Sequence, residues 1–215
     1  MWFPTRIHSH YSLLQSTLKP KRIVKICKDL GYKTAALTDF ASVAGAVKFV
    51  QECEKNDIKP ILGCEIPLKT SNNTTITLIC KNEKGWGKLL EIVSVCNDAD
   101  NFKKHPAIPI DQLFELVDDN FICIDGYVGS ALFNELVEDN KCIYSCSEYD
   151  SAGKCLKREY SKDTVVHIAT FREKFGDDYY LEINRLDSET FAATKLVSNC
   201  IDEVADSIGF KNLYK

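Results

Sequence analysis

Three short stretches of this chain concentrate side chains that can hold metal ions or move protons. Arg6-Ile7-His8-Ser9-His10-Tyr11-Ser12 carries two imidazoles, Leu37-Thr38-Asp39-Phe40 a carboxylate, and Leu62-Gly63-Cys64-Glu65 a carboxylate beside a thiol. Each closes a short apolar run of the kind that forms a β-strand. In a parallel barrel the strand ends converge on one rim, where such folds keep their chemistry. Imidazole and carboxylate from three strand ends are the donors of a divalent-metal centre. Such a centre can act as a Lewis acid and activate water. Here the donor set looks short.

The elements that must position these residues alternate almost from the start. An extended opening strand is expected over 2–8. The apolar spacing of Ile23, Ile26, Cys27 and Leu30 predicts a helix over 19–30, stopped by Gly31. A second strand follows over 33–38. Ser42 is a candidate N-cap for a helix reaching about residue 54, with Val43, Val47 and Val50 inward. The third strand covers 59–66. This rhythm implies a parallel sheet or barrel. Beyond it we expect a strand over 74–80, a helix over 85–96 with Leu89, Ile92, Val93 and Cys96 inward, and a polar loop over 97–109. A helix over 111–117, a strand over 120–124 and a helix over 128–136 come next. A weak strand over 141–145 leads to a mobile Ser/Asp/Gly-rich stretch over 147–154. A helix over 162–175, a strand over 178–183 and a last helix over 188–208 complete the chain. Only Phe210 to Lys215 then remain, too few for another strand and helix, so an unclosed sheet edge and a larger or partner-paired assembly are expected.

Composition bounds the answer. With 215 residues, 45% of them hydrophobic, the chain can bury one substantial core, and its length suggests one domain. A net charge of −4 argues against a free-standing nucleic-acid binder. No apolar run approaches a membrane span and the start lacks a signal peptide's pattern, so a cytoplasmic chain is expected. Of ten cysteines, Cys27, Cys53, Cys64, Cys80, Cys96, Cys123 and Cys200 sit in apolar runs and are expected as buried free thiols. Cys142, Cys146 and Cys155 with His167 match no compact zinc spacing. His105 is expected in a solvated loop and His167 on a helix face. Lys19-Pro20-Lys21-Arg22 suits a solvated first turn, and Trp86 an anchor at a helix start.

The order of motifs resembles the PHP (polymerase and histidinol phosphatase) domain of bacterial and phage family C DNA polymerases, the polymerase III alpha-subunit type. The resemblance is carried by His8-Ser9-x-Tyr11-Ser12-Leu13-Leu14, Leu30-Gly31-Tyr32, Ala35-Ala36-Leu37-Thr38-Asp39, Gly45-Ala46-Val47-Lys48-Phe49 and Ile58-Lys59-Pro60-Ile61-Leu62-Gly63-Cys64-Glu65. Phe175-Gly176-Asp177-Asp178-Tyr179-Tyr180-Leu181-Glu182 adds a later match. It is dense over 5–66, moderate over 170–209, and elsewhere a matter of element order. It implies an α/β fold, a distorted (β/α)7 barrel, incomplete at its C-terminal end. Active relatives hold zinc or manganese and hydrolyse phosphoesters, in some polymerases as a 3′–5′ proofreading exonuclease.

Measured against that pattern, the ligand positions are largely altered. Anchored on Tyr11-Ser12, the family's two strand histidines become Arg6 and His8. The next acidic ligand is Gln15, the histidine after Thr38-Asp39 is Phe40, and the cysteine after the strand at 120–124 is Tyr127. The histidine past Tyr180-Leu181-Glu182 is missing from Ile183-Asn184-Arg185, and a final Asp-x-His would lie beyond Lys215. Reading His8-Ser9-His10 as the motif is an alternative register that misplaces Tyr11-Ser12. Arg6, His8, Gln15, Asp39, Phe40, Glu65 and Tyr127 are thus expected as vestigial metal-site positions, with no catalytic residue and no cofactor. If a metal binds, His8, Asp39 and Glu65 are the donors, for zinc or manganese. A guanidinium pairs with carboxylates and stays protonated, so Arg6 is expected on Glu65 or Asp39.

Three functions compete. The first is a silent scaffold within a replicative DNA polymerase. Its partners would be the remainder of a split or larger polymerase and a proofreading exonuclease, with DNA touched only indirectly and no membrane. The second is a metal-dependent phosphoesterase or 3′–5′ exonuclease. The third is a stand-alone phage-type protein that mimics a polymerase segment to bind a host partner.

Overall fold

The computed structural model describes residues 4–70, 74–127, 129–138, 141–142, 145–151, 155–159, 162–182, 200–201, 204–206, 209 and 213–214. They fall into two compact units, residues 1–123 and 124–215. The boundary lies inside a strand.

In the first unit, helix α1 (Pro20–Asp29) begins on a proline, whose missing N–H is no loss in a first turn. It buries Ile23, Val24 and Cys27, and the chain then turns through Gly31 at a φ of 77°. Strand β1 (Thr34–Phe40), helix α2 (Ala46–Glu54) and strand β2 (Lys59–Pro67) follow. β1 and β2 are parallel, with Phe40 opposite Glu65, so the polar ends of both strands share one edge. Ala35, Leu37, Phe49, Cys53 and Ile58 join α1 in a core between helices and sheet. Each large side chain buried there contributes about 1.5–3 kcal/mol.

Strand β3 (Thr75–Cys80) runs antiparallel to β2, with Cys64 opposite Leu78. The parallel rhythm of the opening therefore breaks at the third sheet strand, because a short link returns the chain directly. Helix α3 (Glu83–Cys96) is capped by Asn82, whose side chain accepts the Gly85 N–H at 3.0 Å, and its buried face is the expected one. The stretch 97–109 forms turns and a single bridge from Ile108 to Leu68. Helix α4 (Ile110–Leu116) leads to strand β4 (Phe121–Asp125), and the order within this unit is β1-β2-β3-β4.

Two expectations in this unit are corrected. No strand forms over residues 4–8. Thr38 N–H donates to the Ile7 carbonyl at 2.9 Å, but the Ile7 N–H is taken by the Thr38 hydroxyl, so a side chain replaces the second rung of a ladder. Ser42 does not cap α2; its hydroxyl accepts the Ala44 N–H and the helix starts after Gly45. The inward face is then Ala46, Phe49 and Cys53, and Val47 is 67% exposed.

The second unit holds the end of β4, helix α5 (Ala131–Leu136), the hairpin β5 (Val137–Glu138) and β6 (Lys141–Cys142), and the hairpin β7 (Ser145–Tyr149) and β8 (Cys155–Glu159). β7 runs through part of the stretch expected to be mobile, and β8 was not expected at all. Helix α6 (Lys162–Phe175), strand β9 (Tyr179–Glu182) and strand β10 (Leu213–Tyr214) follow, β10 parallel to β9. β10 thus lies within the six residues read as too few for a strand and helix. Of the last expected helix, residues 200–201 and 204–206 are described and helical, with Ile201 and Val204 buried. Val197 and Ile208 lie outside the described residues. Cys27, Cys53, Cys64, Cys80, Cys96 and Cys123 are free, whereas Cys200 is disulfide-bonded, correcting its reading as a free thiol.

Candidate functional site

The tie between Ile7 and Thr38 sets His8 and Ser9 against the end of β1. There Asp39, 1% exposed, accepts three hydrogen bonds. Ser9 N–H reaches Oδ1 at 2.6 Å, Ser9 Oγ reaches Oδ2 at 2.8 Å, and Ser12 Oγ reaches Oδ1 at 2.7 Å. Ser12 Oγ in turn accepts the Phe40 N–H at 2.9 Å. Asp39 therefore holds the loop after His8 down on the sheet. Gly45 is what lets it: a Cβ there would come within 2.9 Å of both Asp39 Oδ2 and the Tyr11 ring.

One strand over, Glu65 sits at the end of β2 with three partners. His8 Nε2 lies 2.7 Å from Oε2, Thr75 Oγ1 donates to Oε1 at 2.7 Å, and Arg6 Nη1 stands 3.6 Å from Oε2. Burial alone would raise the Glu65 carboxyl, but the His8 hydrogen bond and charge, the Thr75 hydroxyl and the Arg6 charge bring it below the ordinary carboxylate value. Arg6 reaches one of the two carboxylates expected for it. The contact is long for a bidentate pair and partly exposed, so its worth is small.

Phe40 follows Asp39 and lies opposite Glu65 in the register of β1 and β2. Gln15 is exposed on the loop after Ser12, Phe40 is half-buried, and Tyr127 is buried in the second unit. His10 is half-buried against Tyr11, their ring centroids 4.3 Å apart, and its buried Nδ1 has no hydrogen-bond partner. The side chains of Cys142, Cys146 and Cys155 lie outside the described residues. Thiols elsewhere are poor nucleophiles: desolvation pushes the buried Cys53 and Cys96, and Cys80, which is half-buried where a buried thiol was expected, up to about 12.

The carboxylate oxygens of this rim are already engaged within the protein. Both oxygens of Asp39 are committed to serines, and both of Glu65 to Thr75, His8 and Arg6. A guanidinium is not a ligand. Among the described residues no three of His, Cys, Asp or Glu are grouped to hold an ion.

A second buried carboxylate lies in the second unit and escaped the sequence reading. Asp125, fully buried at the end of β4, meets His167 Nε2 at 2.8 Å and the Tyr179 hydroxyl at 3.1 Å, and accepts the Gly126 N–H at 2.7 Å and the Leu132 N–H at 3.2 Å. Burial raises it, and the His167 bond and charge, Ser130 and the Gly126 N–H outweigh that and leave it lowered. His167 is thus an inward partner of Asp125; its place in an apolar helical pattern was the available signal. His105, expected to be solvated, is half-buried.

Mixed α/β units with carboxylates toward the ends of parallel strands define a class, the barrel-like α/β folds. The PHP domain profile matches residues 4–186, and the chain belongs to that family. It is 25% identical over 208 residues to DNA polymerase III subunit alpha of Chlamydia pneumoniae, covering 90% of this chain and 15% of the relative. It is 30% identical over 191 residues to the same subunit of Borreliella burgdorferi, covering 83% of this chain and 15% of the relative. The chain therefore spans about 15% of the length of these curated relatives. A solved structure from Bifidobacterium adolescentis, described as a metal-dependent phosphoesterase, is alike in fold, with a TM-score of 0.51, 11% identity and coverage of 93% of this chain and 83% of that one. No helix among the described residues is long and apolar enough to cross a membrane.

Proposed function

We propose that this chain serves as the PHP-domain portion of a polymerase III alpha-type replicative polymerase, catalytically silent and acting in the cytoplasm as a scaffold for the polymerase body or an associated exonuclease. The observation that carries this reading is the engagement of Glu65. Glu65, which would be one of the donors if a metal bound, is engaged instead by His8, Thr75 and, at longer range, the Arg6 guanidinium. An ion entering here would have to displace the His8 and Thr75 hydrogen bonds. Arg6, Gln15, Phe40 and Tyr127 are on this reading the altered ligand positions, His8 and Glu65 the remaining ones, and Asp39 stands beside the altered position at Phe40.

The test is metal content together with hydrolysis. The chain is incubated with zinc or manganese and desalted, then its metal is measured by mass spectrometry and its activity on 3′-labelled single-stranded DNA and an aryl phosphodiester. The expected result is well below one equivalent of metal and no metal-dependent cleavage. Stoichiometric metal with cleavage that His8→Ala and Glu65→Gln abolish would establish the phosphoesterase instead.

A further inference from the structure

Charge and apolar surface are unevenly shared along this chain. Six of its 27 lysines and arginines, and none of its 31 carboxylates, fall between Arg6 and Lys28, although the net charge is −4. Lys19, Lys21 and Arg22 are exposed at the start of α1, which has no acidic residue in its first turn and no side-chain cap. The positive end of the helix dipole adds to theirs, the opposite of what an isolated helix prefers. Immediately before them, Leu13 is 82% exposed, Leu14 fully exposed and Leu18 36% exposed.

These leucines belong to a loop pinned from beneath. Asp39 holds Ser9 and Ser12, His10 N–H donates to the Leu18 carbonyl at 2.7 Å across the loop's base, and the N–H groups of Gln15 and Ser16 bond the Ser12 carbonyl. Leu14 itself has a φ of 63°, a left-handed conformation a leucine seldom adopts. The loop thus presents its two leucines to solvent in a fixed geometry, and such preorganisation lowers the entropic cost of binding.

We propose that the Leu13–Leu14 loop and the basic start of α1 form one docking surface for an acidic amphipathic protein segment. The apolar side chains of that segment cover the leucines, and its carboxylates meet Lys19, Lys21 and Arg22. Nucleic acid satisfies the cations but offers no apolar surface to two aliphatic prongs. A membrane-surface element carries a broader apolar face than two adjacent leucines. The inference deepens the scaffold reading and rests on it for the existence of a partner.

The probes are synthetic peptides of about sixteen residues, some four helical turns, built from Leu, Phe, Asp and Glu with apolar residues at helical spacing. A scrambled peptide and an Asn/Gln version serve as controls. Binding to the full chain is read by fluorescence anisotropy and by NMR shifts at Leu13, Leu14 and Lys21. The patterned acidic peptide is expected to bind, more weakly as salt rises. Leu13→Ser and Leu14→Ser should each weaken it about tenfold without lowering the melting temperature, because these side chains are exposed. Lys21→Glu with Arg22→Glu should weaken it by a similar factor and leave the melting temperature equal or higher, since acidic residues suit a helix N-terminus. Equal binding of the scrambled peptide, indifference to the leucine substitutions, or no binding at millimolar peptide overturns the proposal. So does binding of duplex DNA or phosphatidylserine vesicles in place of the peptide, or self-association of the chain through the leucines. A chain that cleaves DNA and binds the peptide loses the scaffold reading and keeps the surface. A silent chain that ignores the peptide does the reverse.

Discussion

Asp39 and Arg6 occupy the same rim yet differ greatly in what they hold. Asp39 is buried and its oxygens accept three hydrogen bonds from Ser9 and Ser12, one of them from a backbone N–H. Asp39→Asn replaces one accepting oxygen with a donor that faces a hydroxyl or an N–H. The expected loss is about 2–3 kcal/mol, measured by urea unfolding, with faster hydrogen exchange at the Ser9 amide. Arg6 stands 3.6 Å from Glu65 with 24% of its side chain exposed. Arg6→Ala should therefore cost no more than about 1 kcal/mol, and leave exchange at Ser9 unchanged. Equal losses for both substitutions would show that the ion pair, not the serine clamp, holds the rim. The residue types of this rim were legible in the sequence, since histidine and carboxylate at strand ends announce a site. The serine clamp was not, because its donors look like any polar loop until the fold brings them to Asp39. Asp125 was missed for a similar reason: its imidazole partner lies 42 positions away, on another element.

At the level of elements, apolar spacing carried most of the information. Apolar runs found α1, β1, β2, β3, α3, α4 and β4 within a few residues, because burial of one face forms the helices and burial on both faces forms strands such as β1 and β3. Spacing could not say that β3 would reverse direction, since a strand's apolar alternation is the same in parallel and antiparallel pairing. Nor could it separate Ser42 from Gly45 as the start of α2, where three valines suggested a face the longer-range core did not use. The glycines of the first unit test this packing. A Cβ at Gly63 in β2 would fall onto the Leu78 carbonyl of β3 and lie 3.1 Å from the Thr38 side chain of β1, so neither neighbouring strand has room for it. Gly63→Ala should cost about 3 kcal/mol. Gly87 is exposed within α3 and a Cβ there meets nothing within 4 Å. Gly87→Ala should stabilise by about 0.5–1 kcal/mol through helix propensity. Thermal melting of the pair checks both signs, and destabilisation by both would mean that the tight β2–β3 approach is not the cause.

Over the whole chain, each of the two compact units contains its own buried carboxylate against an imidazole: Glu65 with His8 in the first and Asp125 with His167 in the second. Both carboxyls are held below their ordinary values despite burial. The folded state therefore binds these protons less readily than the unfolded chain does. Their stabilisation is fully present above the unfolded carboxylate values, about 4, and is lost as the pH falls through the lowered folded values. Stability should fall steeply on the acid side of that window and change little from these groups above it. Asp125 is fully buried and Glu65 nearly so, so removing either charge leaves its partners with unmatched donors. Asp125→Asn and Glu65→Gln should each lower stability at neutral pH by about 3 kcal/mol and flatten the acid limb, because the group that took up the proton is gone. Urea unfolding from neutral pH down to about 3, followed separately by exchange at amides near Glu65 and near Asp125, reads the two units independently. An acid limb of unchanged slope in both variants would assign the acid sensitivity to other carboxylates.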